Sequence, residues 1–333
     1  MANRTQEGPA GPGIPLRIAQ MIERWRGAVE IATRDRRDEP PPEAVVAVIS
    51  DVHAIAAALD AVLESAHANG ATQVWCLGDL IGRGPSPQAC LDRLGSLGPA
   101  VVTCWLLGNH EAMALGLECS PRERASADAV TVADLHRPAL HEAAVETGRA
   151  HYRHWPWPLQ AVFQPILGGP VVMAVHGGAP AGPVSIADRY TDTIVDVVGL
   201  GVYSDKSARD SGLPAPSIVL AGHTHVVDAW KWTVGDPMPR QIVVEPGIAS
   251  VLKEGEHLYL NVGSSGGWAR GASHEKALPT YGLLRFSATS VTWSVIEVEA
   301  DLERERALMG ELGYPRSLAD ELAGVGALPR GRR

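Results

Sequence analysis

Five short apolar segments most constrain how this chain of 333 residues can fold, because each is followed within three residues by a side chain of a metal-binding type. Apolar runs rich in β-branched residues suit strands that are buried on both faces. Helix-compatible segments at 54–68 and 86–95 separate the first three runs. The pattern therefore predicts βαβ units and a largely parallel sheet in an α/β fold. The five runs are Val45–Ile49, Gln73–Leu77, Val101–Leu107, Val171–Val175 and Ser217–Leu220.

The side chains that follow these runs predict a metal site. In an open α/β sheet, ligands bind beyond the carboxyl ends of the strands, so the five strand ends should converge on one crevice. Seven oxygen and nitrogen donors exceed what one ion needs and suit two divalent ions that share a bridging carboxylate. A set without thiolate favours Mn, Fe, Zn, Co or Ni over Ca or Mg alone. The seven residues are Asp51, His53, Asp79, Asn109, His176, His223 and His225.

Five fragments in this order resemble the calcineurin-like metallophosphoesterases: Asp51-Val52-His53, Gly78-Asp79, Gly108-Asn109-His110-Glu111, His176, and Gly222-His223-Thr224-His225. The resemblance spans residues 45 to 298. It implies a layered α/β/β/α sandwich with mixed β-sheets. It also implies hydrolysis of phosphate esters, either phosphodiesters or phosphomonoesters, by two divalent metals and a bridging hydroxide, with Mn as the metal to use in vitro.

The resemblance also assigns roles to individual residues. The metal ligands divide into Asp51, His53 and His225 for the first ion, Asn109, His176 and His223 for the second, and Asp79 as the bridge between them. Asn109 would also contact the substrate. His110 would lie beside the phosphate, where it stabilises the transition state or protonates the leaving oxygen. Glu111 would orient His110.

Two arginines are candidates for holding the phosphate. The segment Gly78–Pro87 resembles bacterial phosphodiesterase-like members, which often carry Tyr where Arg83 stands. Arg83 instead resembles the residue of symmetrical diadenosine tetraphosphatases and phosphoprotein phosphatases, although the latter have Asp in place of Gly82. A planar guanidinium can hold nonbridging phosphate oxygens bidentately. Arg270 follows the loop 261–267, which resembles the Asn-Pro-Gly-Ser loop of the phosphodiesterase-like group, and is a weaker candidate.

Three other functions compete with a general phosphate-ester hydrolase. Arg83 and Glu111 favour a phosphoprotein phosphatase or dinucleoside polyphosphate hydrolase. A non-catalytic interaction scaffold on the same fold is disfavoured, because every expected metal ligand is present. A nuclease is disfavoured by the net charge of −9 and by the lack of a basic, aromatic stripe, so we expect no nucleic-acid partner.

The remaining segments predict the domain organisation and the compartment. Residues 1–43 should form an N-terminal extension, partly disordered or helical. Residues 44–300 should form the metallophosphoesterase domain, with a helical insertion at about 111–155, and 301–333 a helical tail. No apolar stretch reaches the ~18 residues that a membrane-spanning helix needs. With four cysteines and no CxxC pair, we expect a reduced, cytoplasmic protein whose partner is a phosphate-ester substrate. The sequence leaves the oligomeric state open.

Overall fold

A computed structural model describes much of the chain between residues 43 and 322. It covers Gln20 and residues 43–116, 127–146 (with side chains at 131–140), 160–166, 169–177, 216–233, 236, 239–268, 278–287 and 289–322. The N-terminal extension, Arg270, the basic tail and part of the helical insertion lie outside the described residues. None of the helices in the described part of the chain combines the length and the apolarity that crossing a bilayer requires.

Twelve strands in this part of the chain form two six-stranded mixed sheets. They are β1 Glu43–Ile49, β2 Gln73–Cys76, β3 Val102–Trp105, β4 Gln160–Phe163, β5 Val172–Val175, β6 Ile218–Ala221, β7 Val227–Thr233, β8 Arg240–Ile242, β9 Ser250–Leu252, β10 Glu256–Val262, β11 Thr280–Ser287 and β12 Val291–Glu297. The strand order is β3-β2-β1-β11-β12-β9 in the first sheet and β4-β5-β6-β10-β7-β8 in the second.

Six described helices accompany the sheets. They are α1 Ala56–Ala68, α2 Pro87–Leu97, α3 Asn109–Ala114, α4 Ala127–Glu146, α5 Glu303–Glu311 and α6 Arg316–Leu322. Strand alternation decides which side chains they cover. One face of β1 carries Ala47 and Ile49, which share a core with Leu59 and Leu63 of α1.

The opposite face of the first sheet packs against the second sheet. Val46 and Val48 of β1 meet Leu258 and Leu260 of β10 in this inner core. The outer face of the second sheet buries a smaller cluster around Tyr259, to which no described helix contributes. The layered α/β architecture with two mixed sheets confirms the predicted fold class.

The prediction of a largely parallel sheet is wrong. Strands β1, β2 and β3 are parallel to one another, and so are β5, β6 and β10, but β11 and β12 pair antiparallel. The five apolar runs divide between two sheets, because a short run that is buried on both faces carries no signal for the sheet it joins. Strands β11 and β12 form an antiparallel hairpin.

A buried ion pair connects α1 and α2 beneath the site. The Nε and Nη2 atoms of Arg93 donate to the two carboxylate oxygens of Asp60, with Nη2 to Oδ2 at 3.0 Å. Both side chains are only 6% exposed. An ion pair of this kind is bidentate and largely shielded from water, so each partner depends on the other for its charge compensation.

We expect Asp60→Asn to lower the free energy of unfolding by about 1–3 kcal/mol, because it leaves a buried guanidinium without its counter-charge. Urea unfolding of the purified variant measures this. The matched control is Asp134→Asn, which alters an exposed pair in which Asp134 lies 2.6 Å from Arg137. That change should cost no more than about 0.5 kcal/mol. Equal costs for the two substitutions would contradict the prediction.

Candidate metal centre and active site

The seven predicted metal ligands all follow strands at the carboxyl ends of the two sheets. The first sheet supplies Asp51 and His53 after β1, Asp79 after β2 and Asn109 after β3. The second sheet supplies His176 after β5, and His223 and His225 after β6. The structure thus brings all seven residues together where the two sheets adjoin. Three overlapping groups within the described residues have donor atoms close enough for one ion.

The first group contains Asp51, His53 and His225. The Nε2 atom of His225 lies 3.3 Å from Oδ1 of Asp51 and 2.8 Å from Nε2 of His53. Three donor atoms therefore face one small volume. Asp51 and His53 are fully buried, so this volume is shielded from bulk water on that side.

The second group contains Asp79, His176 and His223, with Asn109 beside them. Oδ1 of Asn109 lies 3.0 Å from Nε2 of His176 and 2.9 Å from Nδ1 of His223. Asp79 connects the two groups, because its Oδ2 lies 3.2 Å from Nε2 of His176 and 3.7 Å from Nε2 of His53. The carboxylate that the sequence predicts as the bridge is therefore the one between the groups.

Backbone carbonyls orient two of the histidines. Nδ1 of His176 lies 2.9 Å from the Leu77 carbonyl oxygen, and Nδ1 of His53 lies 3.3 Å from that of Ile81. A carbonyl can only accept, so each Nδ1 carries a proton, and Nε2 is the ring atom that faces the site. Burial also lowers the pKa of His53 well below its ordinary value, which keeps the ring neutral and able to bind a cation.

The backbone around the ligands is held in an uncommon conformation. Asp51, His53, Asp79, His223 and His225 all have φ between 51° and 67°. Residues other than glycine seldom adopt this left-handed region, and such strain clusters at functional sites. Gly222, before His223, has no room for a side chain, since a Cβ there would collide with Ser50 and lie 2.5 Å from Oδ2 of Asp51. The close approach of the two sheets therefore requires glycine.

The electrostatics of the site favour positive charge between the carboxylates. Burial alone would raise the pKa of Asp79, but the nearby His176 and His110 hold it well below its ordinary value. Burial alone would lower the pKa of His176, but Asp79, Asp51 and Glu111 raise it to about 9. Oδ1 of Asp51 is buried and receives no hydrogen bond from any described group. This donor set and its charge fit divalent cations.

The comparisons with known proteins agree with this geometry. The family model of the calcineurin-like phosphoesterases matches residues 44–227, which is more than half of the chain. The chain belongs to the calcineurin-like phosphoesterase family. It is accordingly a phosphoester hydrolase, and its family depends on a dinuclear metal centre. The recognition made from the sequence fragments is confirmed.

Individual relatives agree with the family assignment at the level of the fold. A metallophosphoesterase from Sphaerobacter thermophilus is 23% identical with a TM-score of 0.55, over 85% of this chain and all of that one. A hypothetical protein of Pyrococcus horikoshii, PH1004, is 15% identical with a TM-score of 0.57, over 84% of this chain and 97% of that one. The uncharacterized protein MJ0912 of Methanocaldococcus jannaschii is 37% identical over 76 residues, only 23% of this chain and 30% of that protein.

In this phosphoesterase His110 lies beside the ligands. Its backbone N–H donates to Oδ1 of Asp79 at 2.9 Å, and its ring meets that of His53 edge-on with centroids 4.7 Å apart. Burial is the main cause that lowers the pKa of His110 to about 4, and the charge of Arg83 lowers it further. With no substrate bound, the ring is therefore neutral at neutral pH and can donate one N–H to a phosphate oxygen, and it must first take up a proton to act as an acid.

Glu111 binds the backbone of the turns on either side of the site. Its Oε2 accepts from the backbone N–H groups of Asp79 and Gly108, and its Oε1 from that of Ile81, all at 2.9 Å. The carboxylate thus joins the turns after β2 and β3, rather than contacting the ring of His110. Burial, and then the charge of Asp79, raise the pKa of Glu111 to about 7.

We expect Glu111→Gln to lower the free energy of unfolding by about 1–3 kcal/mol, because the new amide group faces backbone donors and leaves one unsatisfied. Affinity for Mn²⁺ should also fall about 10–100-fold, since the turn that carries Asp79 loses its support. Urea unfolding and metal titration measure the two effects. Glu303→Gln, at a side chain that is 80% exposed, is the control and should change neither. A fully stable Glu111→Gln with unchanged affinity would refute this role.

Arg83 lies near the centre, and two other side chains contact its guanidinium. Its Nη1 is 2.7 Å from Oε1 of Glu321 in α6, and its guanidinium lies over the Trp268 ring at 5.2 Å from the centroid. No sequence pattern singles out Glu321, nor His136, whose ring accepts a hydrogen bond from the backbone of Gly82. Neither belongs to a motif, and only the packing of α4 and α6 brings them here.

The loop 261–267 supports the ligand turns from behind. Nδ2 of Asn261 donates to the Gly222 carbonyl at 2.6 Å, and Oγ of Ser264 donates to the Asp51 carbonyl at 2.8 Å. Ser265 is fully buried, and its Oγ donates to the Thr280 carbonyl at 2.7 Å. These hydroxyls therefore hold backbone, and the loop connects the turns that carry ligands from both sheets.

Proposed function

We propose that this phosphoester hydrolase works with two divalent metal ions. The observation that carries the proposal is that two of the three groups, Asp51-His53-His225 and Asp79-His176-His223, share no residue, while Asp79 also lies near His53 of the first. One ion would bind at Asp51, His53 and His225, and the other at Asn109, His176 and His223, with Asp79 shared.

The chain's own residues would bind and orient the substrate. A pair of divalent ions, when bound, would lower the pKa of a shared water and neutralise charge on the phosphoryl group. His110 would donate its ring N–H to a phosphate oxygen or protonate the leaving oxygen. Arg83 would hold a nonbridging oxygen, and Asn109 would contact the substrate from the ligand side. Arg270, outside the described residues, is a further candidate for the phosphate.

The positive side chains beside the site bear on whether it prefers a phosphomonoester or a phosphodiester. A phosphomonoester carries more charge than a phosphodiester, so a guanidinium within reach favours the monoester. The charge of Arg83 does act at the site, since it lowers the pKa of both His53 and His110. Because phosphomonoesters and polyphosphate chains both carry high negative charge, this observation supports the second candidate, a phosphoprotein phosphatase or dinucleoside polyphosphate hydrolase. The first candidate remains a phosphodiesterase or phosphomonoesterase of broad specificity.

Hydrolysis of two model esters tests the proposal. Protein stripped of metal and refilled with Mn²⁺ would be assayed with bis-p-nitrophenyl phosphate and p-nitrophenyl phosphate, and bound metal would be counted per chain. We expect metal-dependent turnover and two ions per chain, with the preferred ester separating a diesterase from a monoesterase. One ion per chain at full activity would contradict the two-ion proposal. Failure to bind any divalent metal would favour the scaffold instead.

A further inference from the structure

A helical hairpin near the C-terminus, formed by α5 and α6 (residues 303–322), packs against the loops that carry the metal ligands. Its Met309, Leu318 and Leu322 share a buried cluster with Ile55 and Trp268. It also makes polar contacts beneath the site: Oε1 of Glu305 accepts from the Ala57 backbone N–H at 3.0 Å, and Oε2 accepts from the Ser86 hydroxyl at 2.8 Å. The hairpin is therefore anchored both to the start of α1 and to the end of the loop 79–86.

The first contact between the hairpin and this loop runs through His136 of α4. The Gly82 N–H donates to Nδ1 of His136 at 3.0 Å, and Nε2 of His136 lies 2.7 Å from the Tyr314 hydroxyl. Burial, and then the charge of His110, lower the pKa of His136 to about 3, so the ring is neutral. Nδ1 must accept, so Nε2 carries the proton and donates to Tyr314. His136, protonated at Nε2 alone, thus connects the hairpin to Gly82 by two hydrogen bonds.

Gly82 occupies a narrow space between two residues of the site. Its φ is 131°, and an added Cβ would lie 2.7 Å from Nδ1 of His53 and 2.8 Å from Cγ of His110. The position of Gly82 therefore sets the spacing between a candidate metal ligand and the candidate acid. It also sets the direction in which the side chain of the next residue, Arg83, extends from the backbone.

The second contact is the ion pair between Arg83 and Glu321 of α6. It has one short N–O distance, 2.7 Å, and the two side chains are 21% and 35% exposed. Only one nitrogen of the guanidinium makes this contact, and the ring of Trp268 lies against its plane. The other N–H groups of a planar guanidinium remain in a fixed direction, which lowers the entropy lost when they bind an anion.

We propose that the hairpin positions the phosphate-binding part of the site, with Tyr314 acting through His136 on Gly82, and Glu321 acting on Arg83. This inference rests on the proposed function, because it takes Arg83 as a group that binds phosphate. Tyr314, His136 and Glu321 are positioning residues, since each acts through the loop and touches neither metal nor substrate.

The test uses substitutions that remove one contact at a time in the full chain. Tyr314→Phe removes only the hydroxyl, and Glu321→Ala removes the carboxylate. His136→Leu removes both nitrogens, whereas His136→Asn keeps an oxygen that can accept from Gly82 N–H. Glu311→Gln, at an exposed side chain of the same hairpin, is the control. Mn²⁺-loaded proteins would be compared by hydrolysis of p-nitrophenyl phosphate and by calorimetric binding of inorganic phosphate.

We expect Tyr314→Phe, Glu321→Ala and His136→Leu each to weaken phosphate binding and raise KM by about tenfold. This is less than the effect of removing a charge-assisted phosphate contact altogether, because Arg83 is still present. Bound metal should be unchanged. His136→Asn should lie closer to the wild type than His136→Leu. Glu321→Ala should have no further effect in an Arg83→Ala background, because a residue that acts through Arg83 cannot act without it.

The outcomes separate this inference from the proposed function. Two results would overturn the positioning role. One is that Glu321→Ala weakens phosphate binding as much in the Arg83→Ala background as in the wild type. The other is that all three variants bind phosphate within twofold of the wild type. Absence of turnover in the wild type would count against the proposed function. In a wild type without turnover, the positioning role would still be supported if Arg83→Ala weakened phosphate binding and Glu321→Ala weakened it only when Arg83 was present. A wild type that neither turns over nor binds phosphate would overturn both.

Discussion

Replacing Asp79 by Asn is expected to abolish the paired metal site and to lower kcat/KM by at least ~10³-fold. Both carboxylate oxygens are in use: Oδ2 faces His176 and His53, and Oδ1 accepts from the backbone N–H of His110. Asparagine offers one neutral oxygen, so it can satisfy only one of these demands. It also removes a negative charge from a site where buried carboxylates compensate bound cations.

Metal content and turnover together check this result. After refilling with Mn²⁺, the variant should hold fewer than two ions per chain by elemental analysis, and hydrolysis of both p-nitrophenyl esters should be lost. Asp134→Asn, the same change at an exposed aspartate, should keep two ions and full turnover. An Asp79→Asn protein with two ions and near wild-type turnover would show that another group joins the two ligand groups.

Replacing His110 by Gln should lower kcat by about 10²–10⁴-fold while both ions stay bound. The ring of His110 contacts that of His53 edge-on, and the one group that contains His110 shares both of its other members, His53 and Asp79, with the two groups assigned to the ions. Its loss should therefore affect the chemistry more than the metal content. Glutamine keeps a side-chain N–H donor but cannot deliver a proton to a leaving oxygen.

The leaving group separates the two roles of His110. If the imidazole protonates the leaving oxygen, the loss of rate should be larger for phenyl phosphate than for p-nitrophenyl phosphate, whose leaving group needs no proton. If it only stabilises the transition state, the two losses should match. His257→Gln, where the ring stacks on Trp232 of the second sheet, is the control and should have no effect. A kcat within tenfold of wild type for His110→Gln would refute the role of His110 as an acid.

The convergence of the ligands could be predicted from the sequence, because it depends only on strand ends. Each apolar run is short and continuous, and the residue after it must lie at the end of a strand. A run that is apolar throughout does not indicate which sheet it joins. For this reason the sequence pattern places β5 and β6 in one sheet with β1. Strand β7 was missed, because its Asp228, Trp230 and Lys231 interrupt an apolar pattern.

The supporting contacts could not be predicted, because they join residues that are far apart in the chain. His136 lies 54 residues from Gly82, and Glu321 lies 238 residues from Arg83. Neither pairing has a periodicity or a fragment that marks it. Glu111 was recognised as part of a fragment, but its three backbone partners belong to two turns whose spacing only the folded sheet determines.

The placement of ligands on both sheets has a consequence for how the protein matures on the ribosome. The first ligand is residue 51 and the last is residue 225, and the loop that supports their turns extends to residue 267. A nascent chain that has not yet emerged beyond β6 carries at most five of the seven donors, so it cannot hold a pair of ions. Metal acquisition should therefore follow completion of the second sheet, and the ions should enter a nearly finished protein rather than guide its early collapse.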